Sequence, residues 1–238
     1  MMNDSSRQRL LFELGLPVLV LLLLTLLFRF SDLDMQASRY FYRAGDGWWF
    51  ADFWLVQLLY TRGMIPGILL GAIALGGLLL GLKLSRLRRQ WRSYLLLLLL
   101  LAIGPGLLVN SVFKEYWGRT RPKQVIEFGG QLPFLKVWQR GTPGVGKSFP
   151  SGHASIGFYL MAPYFVLRKR RKKLAKGFLL GGTLYGTLMG IGRVAQGGHF
   201  PSDVLWAWGM VYLSGLLLCY LLRPEDQPDR YQPPATFI

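Results

Sequence analysis

Two leucine-rich runs limit what this chain can fold into more than any other feature. Residues 16–27 contain a single hydrophilic side chain, Thr25, and residues 95–101 are all leucine. An amphipathic helix of a soluble domain keeps polar residues along one face, which runs of this kind lack. About 20 apolar residues in a helix cross the ~30 Å hydrocarbon layer of a membrane. The runs therefore predict membrane-spanning helices.

Six apolar segments predict the fold class, an all-α polytopic membrane protein with a bundle of six transmembrane helices. Each segment is expected to be helical because lipid offers no partner to unpaired backbone groups. The predicted spans are residues 10–30, 64–84, 93–113, 152–167, 177–191 and 203–222. Arg7 and Arg9 precede the first segment and no small-residue cleavage site follows it, so we expect a retained span. We expect a single domain over residues 1–238.

The basic residues predict the orientation of these helices. Five lie within residues 83–92, seven within residues 168–176, and the tails add Arg7, Arg9, Arg223 and Arg230. Lysine and arginine concentrate in cytoplasmic loops, so we expect both termini in the cytoplasm and the other loops outside. The pattern fits the inner membrane of a bacterium.

The net charge of +16 also raises the question of nucleic-acid binding. Here the basic residues lie between apolar runs, whereas a nucleic-acid binder carries a basic patch on a soluble fold. We therefore expect no nucleic-acid partner. The single cysteine, Cys219, lies within an apolar run, so an intrachain disulfide is excluded.

Two outward segments differ in character. Residues 30–63 contain Trp48, Trp49 and Trp54, and aromatic side chains beside charges are typical of the membrane–water interface. A short interfacial helix is expected there, with anchoring favoured over contact with substrate. Residues 114–150 are rich in glycine and proline, which is loop composition. A loop of this length is commonly functional, and we expect it to form an outward active-site loop.

Three outward clusters carry the candidate chemistry, all within residues 114–203. The phosphate-binding candidates are Lys114, Arg121, Ser151, Gly152 and Arg193. Arginine presents a fork of donors that matches phosphate oxygens, and backbone amides at the start of a helix attract anions. Taken singly, the cations read as interfacial anchors and Ser151 as a helix cap. Together they predict a phosphate cradle.

The only two histidines of the chain, His153 and His199, both fall in these clusters. Together they supply the nucleophile and the acid that phosphate transfer needs. Asp203 follows His199 by four residues, near enough to orient an imidazole and stabilise its positive charge; alone it reads as a helix N-terminal charge. Two histidines and one carboxylate do not make a typical zinc or magnesium site. We expect neither metal nor cofactor.

At this point the chain resembles the type 2 phosphatidic acid phosphatase superfamily, whose signature is Lys-x6-Arg-Pro, Pro-Ser-Gly-His and Ser-Arg-x5-His-x3-Asp. The first motif is matched by Lys114 with Arg121 and Pro122, the second by residues 150–153, and the third by Arg193 with His199 and Asp203. Gly192 stands where the family has serine, which removes a hydroxyl near the phosphate site.

The resemblance implies a metal-independent membrane lipid phosphatase. His199 would attack phosphorus and become a phosphohistidine, Asp203 would orient it, and His153 would protonate the departing oxygen. Lipid phosphates are the implied partners: undecaprenyl diphosphate, phosphatidylglycerol phosphate or lipid A phosphates. The run from Gln196 to Asp203 looks somewhat like that of lipid A phosphatases. Two alternatives stay open, a lipid phosphotransferase and a non-catalytic lipid-binding or transport protein.

Overall fold

The computed structural model describes residues 11–224, and across this range the chain is a helical bundle without a β-strand. The main helices are α1 (Leu16–Phe30), α2 (Leu33–Phe41), α3 (Trp54–Arg62), α4 (Ile65–Gly81), α5 (Trp91–Leu101), α6 (Gly152–Phe158), α7 (Lys172–Ala195) and α8 (Pro201–Leu222). Leu11–Gly15 and Ala102–Phe113 extend α1 and α5 as π-helix. The all-α prediction is confirmed.

Four helices have the length and hydropathy of a membrane span: Leu11–Phe30, Trp54–Gly81, Trp91–Tyr116 and Pro201–Leu222. Two further helical segments occupy the predicted fourth and fifth positions. Gly152–Phe158 continues through a 3-10 turn into Ala162–Leu167, and Lys172–Ala195 is one uninterrupted helix. A polytopic membrane protein is confirmed, while the count of six spans stays a prediction. Leu10, Arg7, Arg9 and Arg230 lie outside the described residues.

The second long helix begins at Trp54, ten residues before the predicted start. The sequence analysis assigned this part of the chain to an outward segment with a short interfacial helix. In the structure the Thr61 hydroxyl donates to the Gln57 carbonyl at 2.8 Å, one turn earlier in the same helix. A threonine that bonds back in this way does not need to end a helix.

Consecutive long helices run in opposite directions, which gives the bundle two distinct ends. At one end Arg168 forms an ion pair with Glu13 at 2.6 Å, and the Tyr220 hydroxyl donates to the same carboxylate at 3.0 Å. This is the end at which the basic residues 168–176 lie. At the opposite end Asp34, which follows α1, accepts a bond from the Ser202 amide at the start of α8. All three predicted motifs lie at this second end.

The core of the bundle combines apolar side chains with close helix contacts. Leu96, Leu100, Phe158 and Tyr159 are completely or almost completely buried. Helices α6 and α7 approach closely because Gly186 faces the Phe158 ring, where any added Cβ would clash. Small residues at helix interfaces are the usual means of close packing in membranes. The contact fixes α6, which carries His153, against α7, which carries Arg193.

The long loop after α5 is held to the bundle by an aromatic cluster. Trp138 packs edge-on against Trp206 of α8 with ring centroids 4.6 Å apart, and against Trp117 at 4.8 Å. Phe149 is 1% exposed and contacts all three rings. The predicted active-site loop is therefore packed against α8 rather than extended, and this packing sets the position of Ser148 and Ser151.

Candidate active site

Backbone hydrogen bonds join the three motifs into one site. The Lys123 amide donates to the Gly197 carbonyl at 3.1 Å, which ties the first motif to the third. The Ser151 amide donates to the Asp203 carbonyl at 3.1 Å, which ties the second to the third. The Ser148 amide donates to the Arg119 carbonyl at 3.0 Å. The loops that carry the candidate residues thus converge at one end of the bundle.

His199 is held in one tautomer by a backbone carbonyl. Its Nδ1 lies 2.6 Å from the carbonyl oxygen of Ser148, and the side chain is 2% exposed. A carbonyl oxygen only accepts hydrogen bonds, so Nδ1 must carry the proton. The lone pair is then on Nε2. A neutral imidazole with a fixed Nε2 lone pair is the form that a nucleophile requires.

Asp203 lies beside His199, as the four-residue spacing suggested, but makes no direct hydrogen bond to its ring. Its Oδ2 lies 3.8 Å from His199 Nδ1, which is beyond hydrogen-bond distance. Instead the carboxylate accepts bonds from the Ser148 hydroxyl at 2.6 Å, the Phe200 amide at 2.8 Å and Arg119 Nη1 at 2.6 Å. Ser148 therefore links the two residues, with its hydroxyl on Asp203 and its carbonyl on His199.

The three predicted cations lie near enough to one another to interact electrostatically. Lys114 experiences the charges of Arg121 and Arg193, and Arg193 experiences that of Arg121. Asn110 accepts a bond from Lys114 Nζ at 3.0 Å. A Cβ at Gly152 would lie 2.7 Å from the same Nζ, so a glycine leaves room for the ammonium there. Like charges gathered at one place favour an anionic ligand.

Each motif also contributes a buried donor without a partner. Among the described residues, Arg121 Nε, Arg193 Nε and Ser151 Oγ are buried and make no hydrogen bond. Ser151 occupies the cap position of α6, yet its side chain makes no capping bond. Unpaired buried donors are costly. Two of these donors belong to the cations Arg121 and Arg193, and together with Ser151 they indicate a site built to receive an oxyanion.

His153 stacks on a tyrosine from the segment predicted to serve as an anchor. Its ring lies 5.1 Å from that of Tyr60 with an interplanar angle of 22°, and the Arg193 guanidinium carbon lies 4.6 Å from the Tyr60 ring centroid. His153 also interacts electrostatically with His199. The segment expected to anchor the chain therefore also contacts two candidate site residues through Tyr60.

Sequence reasoning missed several residues that shape this site. Ser148, Arg119 and Tyr60 contact motif residues directly, and Asp34 does so through Arg119. Arg119 lies among the variable positions of the first motif, and Asp34 and Tyr60 lie far upstream. Residues 30–63 contain four aspartates and three tyrosines, so the sequence offered no signal that singled out Asp34 or Tyr60.

The environment of His199 predicts the pH dependence of the reaction. Burial lowers the pKa of His199 from 6.5 to about 4, although Asp203 acts in the opposite direction. Because the pKa is lowered, the neutral nucleophile is already present at pH 5. We expect kcat/KM for p-nitrophenyl phosphate, whose leaving group needs no proton from His153, to show an acid limb only as the pH drops through about 4, after correction for the second ionisation of the substrate phosphate near pH ~6. If the corrected kcat/KM instead falls near pH 6.5, the ordinary pKa of histidine, the buried environment of His199 would be contradicted.

Glycine in place of the family's serine at position 192 is expected to have little effect on activity. A Cβ built there would have Leu59 and Val56 side-chain carbons of α3 as its nearest neighbours, each at 3.9 Å, which is ordinary contact. The added hydroxyl of Gly192→Ser would therefore meet an apolar surface. We expect the variant to keep kcat within about twofold and to lose about 1 kcal/mol of stability, because Gly192 is buried and a hydroxyl against apolar carbons lacks the hydrogen-bond partner it has in water. A tenfold rise in kcat would show that the serine hydroxyl reaches the phosphate.

An apolar cavity of about 490 Å³ adjoins the site between α1, α2, α7 and α8. Its lining includes Val194 and Pro201, which stand on either side of the segment that carries His199. Phe41 and Val204 also line it. It continues along the helices to Thr187 and Trp208. A cavity of this size and character suits a hydrocarbon chain.

Sequence comparison finds relatives that are named as lipid phosphatases or phosphatidylglycerophosphatases. A lipid A 4'-phosphatase of Francisella tularensis subsp. novicida is 34% identical over 205 residues, covering 83% of this chain and 90% of that protein. A lipid A 4'-phosphatase of Rhizobium leguminosarum is 37% identical over 134 residues, covering 56% of this chain and 54% of that protein. Phosphatidylglycerophosphatase B of Bacillus subtilis is 31% identical over 147 residues, covering 59% and 61%. No solved structure matches.

The PAP2 superfamily model matches residues 93–226, more than half of the 238 residues, and this region contains all three motifs. The chain therefore belongs to the PAP2 superfamily of type 2 phosphatidic acid phosphatases.

Proposed function

We propose that this membrane lipid phosphatase removes a phosphate monoester from lipid A through a phosphohistidine on His199, at the outer face of the membrane. The observation that carries the proposal is the position of His199. Its Nε2 lone pair is fixed by the Nδ1 bond to Ser148, in a site with three cations and three unpaired buried donors. This arrangement suits attack on a phosphorus atom whose oxygens are held by the cradle.

The reaction proceeds in two displacements. His199 Nε2 forms a bond to phosphorus while the bond to the lipid oxygen breaks, and His153 gives its proton to that oxygen. Water then attacks the phosphohistidine, His153 takes its proton, and inorganic phosphate leaves with His199 restored. Lys114, Arg121 and Arg193 hold the phosphate oxygens, with Ser151 as a further donor. The negative charge of the phosphate stabilises the imidazolium form of His153 before the first step.

Two observations support a lipid A phosphate as substrate. The apolar cavity beside the site offers a place for an acyl chain. Among the relatives named lipid A 4'-phosphatases, the one from Francisella tularensis subsp. novicida aligns over 90% of its own length. Phosphatidylglycerol phosphate is the second candidate, favoured by the match to phosphatidylglycerophosphatase B.

The outward orientation of the site rests on charge placement. Residues 83–92 and 168–176 carry twelve basic side chains, and the site lies at the other end of the helices. The positive-inside rule then places the site outside and the basic end in the cytoplasm. Both termini would be cytoplasmic in the bacterial inner membrane.

The substrate proposal is tested with the purified protein in detergent micelles and a panel of lipids. The panel contains lipid A, phosphatidylglycerol phosphate, phosphatidate and undecaprenyl diphosphate, each with and without an acceptor lipid. We expect release of one inorganic phosphate per lipid A and the highest kcat/KM for this lipid. Faster release from phosphatidylglycerol phosphate would favour the second candidate. Phosphate that appears only on the acceptor lipid would identify a phosphotransferase.

The role of the cavity is tested by filling it. Thr187→Trp places a large side chain in the cavity, where it would displace two or three methylenes of an acyl chain. An acyl chain enters the cavity from micelle hydrocarbon and not from water, so its displacement costs packing contacts and not the full hydrophobic transfer energy. We expect kcat/KM for a long-chain lipid to fall roughly 3- to 10-fold, whereas p-nitrophenyl phosphate should be unaffected. Leu184→Trp is the matched control, because Leu184 is exposed on the same helix and lies outside the cavity lining. Equal loss in both variants, or none in Thr187→Trp, would contradict an acyl-chain site.

A further inference from the structure

We propose that Arg119 and Asp34 are positioning residues for the nucleophile, so that α2 belongs to the catalytic apparatus although it lies outside every signature motif. The inference rests on the proposed role of His199. Asp34, Arg119 and Asp203 form a continuous buried row of charges that ends at Ser148 and His199. We refer to the three charged residues as the buried triad.

Arg119 is the centre of the buried triad. Its Nη2 lies 2.7 Å from Asp34 Oδ2 and its Nη1 lies 2.6 Å from Asp203 Oδ1, and the side chain is 0% exposed. The Nε donates to the Leu135 carbonyl at 2.9 Å, and the guanidinium carbon lies 4.7 Å from the centroid of the Phe200 ring. Arg119 therefore binds carboxylates from two different helices and packs beside the residue that follows His199.

Asp34 binds the start of α8 in addition to Arg119. It accepts bonds from the Ser202 amide at 3.0 Å and the Ser202 hydroxyl at 2.6 Å. Ser202 in turn accepts a bond from Arg119 Nη1 at 2.8 Å. These contacts hold Ser202, which immediately precedes Asp203. Arg119 binds Asp203 Oδ1, and Asp203 Oδ2 faces Ser148.

The charges of the buried triad do not cancel. Two carboxylates and one guanidinium leave one negative charge in a region shielded from water, and burying such a group is costly. Apolar side chains can replace buried ion pairs without loss of stability. Stability alone therefore does not explain why three charged side chains are buried here. The remaining negative charge becomes useful once the nearby imidazole is cationic.

The phosphohistidine intermediate is that cation. When Nε2 bonds to phosphorus while Nδ1 keeps its proton, the imidazole ring carries one positive charge. Asp203 Oδ2 lies 3.8 Å from Nδ1, and the Ser148 carbonyl accepts the proton of the ring directly. Without Asp34, Arg119 would neutralise Asp203 and the ring would lose its counter-charge. Asp34 therefore leaves Asp203 free to stabilise the intermediate.

The test compares two carboxylate-to-amide variants of the full-length protein, assayed with p-nitrophenyl phosphate. Asp34→Asn removes the charge of the buried triad and keeps the side-chain shape. We expect kcat to fall about 10- to 100-fold, as is typical when a supporting partner of an active-site residue is lost, while the inhibition constant of inorganic phosphate stays within twofold. Asp34→Glu, which restores the charge, should recover a measurable part of the rate.

Glu13→Gln is the matched control, because Glu13 also pairs with an arginine between helices but at the other end of the bundle. We expect its kcat to stay near wild type. A kcat for Asp34→Asn within twofold of wild type, or an equal loss in Glu13→Gln, would overturn the proposal. If Asp34→Asn does not fold, Arg119→Lys decides by the same criterion, since a lysine cannot hold both carboxylates in a fork. Because the assay uses p-nitrophenyl phosphate, the result can be interpreted even if the proposed lipid substrate is wrong.

Discussion

His199→Ala is expected to reduce kcat by roughly 10⁴- to 10⁶-fold, the range seen when an enzyme loses its nucleophile or base. In the proposed mechanism the variant loses the nucleophile, while the cradle of Lys114, Arg121 and Arg193 is unchanged. Binding of inorganic phosphate should therefore survive. The measurement is steady-state phosphate release from a lipid phosphate, together with competition by inorganic phosphate.

The fold of His199→Ala needs its own check, because His199 is buried and bonded to Ser148. An unfolding midpoint in detergent close to wild type would show that the bundle is intact. A variant that folds, binds phosphate and still turns over at more than a hundredth of the wild-type rate would contradict the assignment of the nucleophile.

His153→Ala is expected to have an effect that depends on the leaving group. A lipid alkoxide needs a proton as it departs, and general acid catalysis contributes about 10²–10⁴-fold. p-Nitrophenolate departs without one. We expect a loss in that range with a lipid phosphate and a much smaller loss with p-nitrophenyl phosphate, measured as kcat/KM for both substrates.

Equal losses on the two substrates would show that His153 acts in some other way, for example by holding Tyr60 and Arg193 in place. Tyr60→Phe serves as the control, because it keeps the ring that stacks on His153. Its activity should stay within a few-fold of wild type on both substrates.

Much of the fold could be predicted from sequence because lipid imposes a simple rule. Apolar runs such as residues 95–101 must be helical, and the structure has helices at every predicted position. The helix from Trp54 was missed in part because polar side chains such as Thr61 satisfy their hydrogen bonds within the helix. Hydropathy alone does not reveal such local bonds.

The site was predictable where chemistry is concentrated in short motifs. His153, His199 and Arg193 converge as expected because motif loops follow helix ends that meet at one end of the bundle. The four-residue spacing predicted that Asp203 lies beside His199, and the two side chains are 3.8 Å apart, but the hydrogen bonds through Ser148 were not predicted. Ser148 and Asp34 do not stand at a fixed sequence distance that marks them as site residues. Their hydrogen bonds to Asp203 and Arg119 depend on tertiary packing.

The most direct test of the account is the identification of the covalent intermediate. A lipid phosphate labelled with ³²P is mixed with the enzyme and quenched in alkali within milliseconds, because phosphohistidine survives base and decays in acid. We expect a burst of labelled protein, with the label on the peptide that contains His199 and none in His199→Ala. Label on another residue, or full turnover of wild-type enzyme with no labelled protein at any time, would contradict a phosphohistidine at His199.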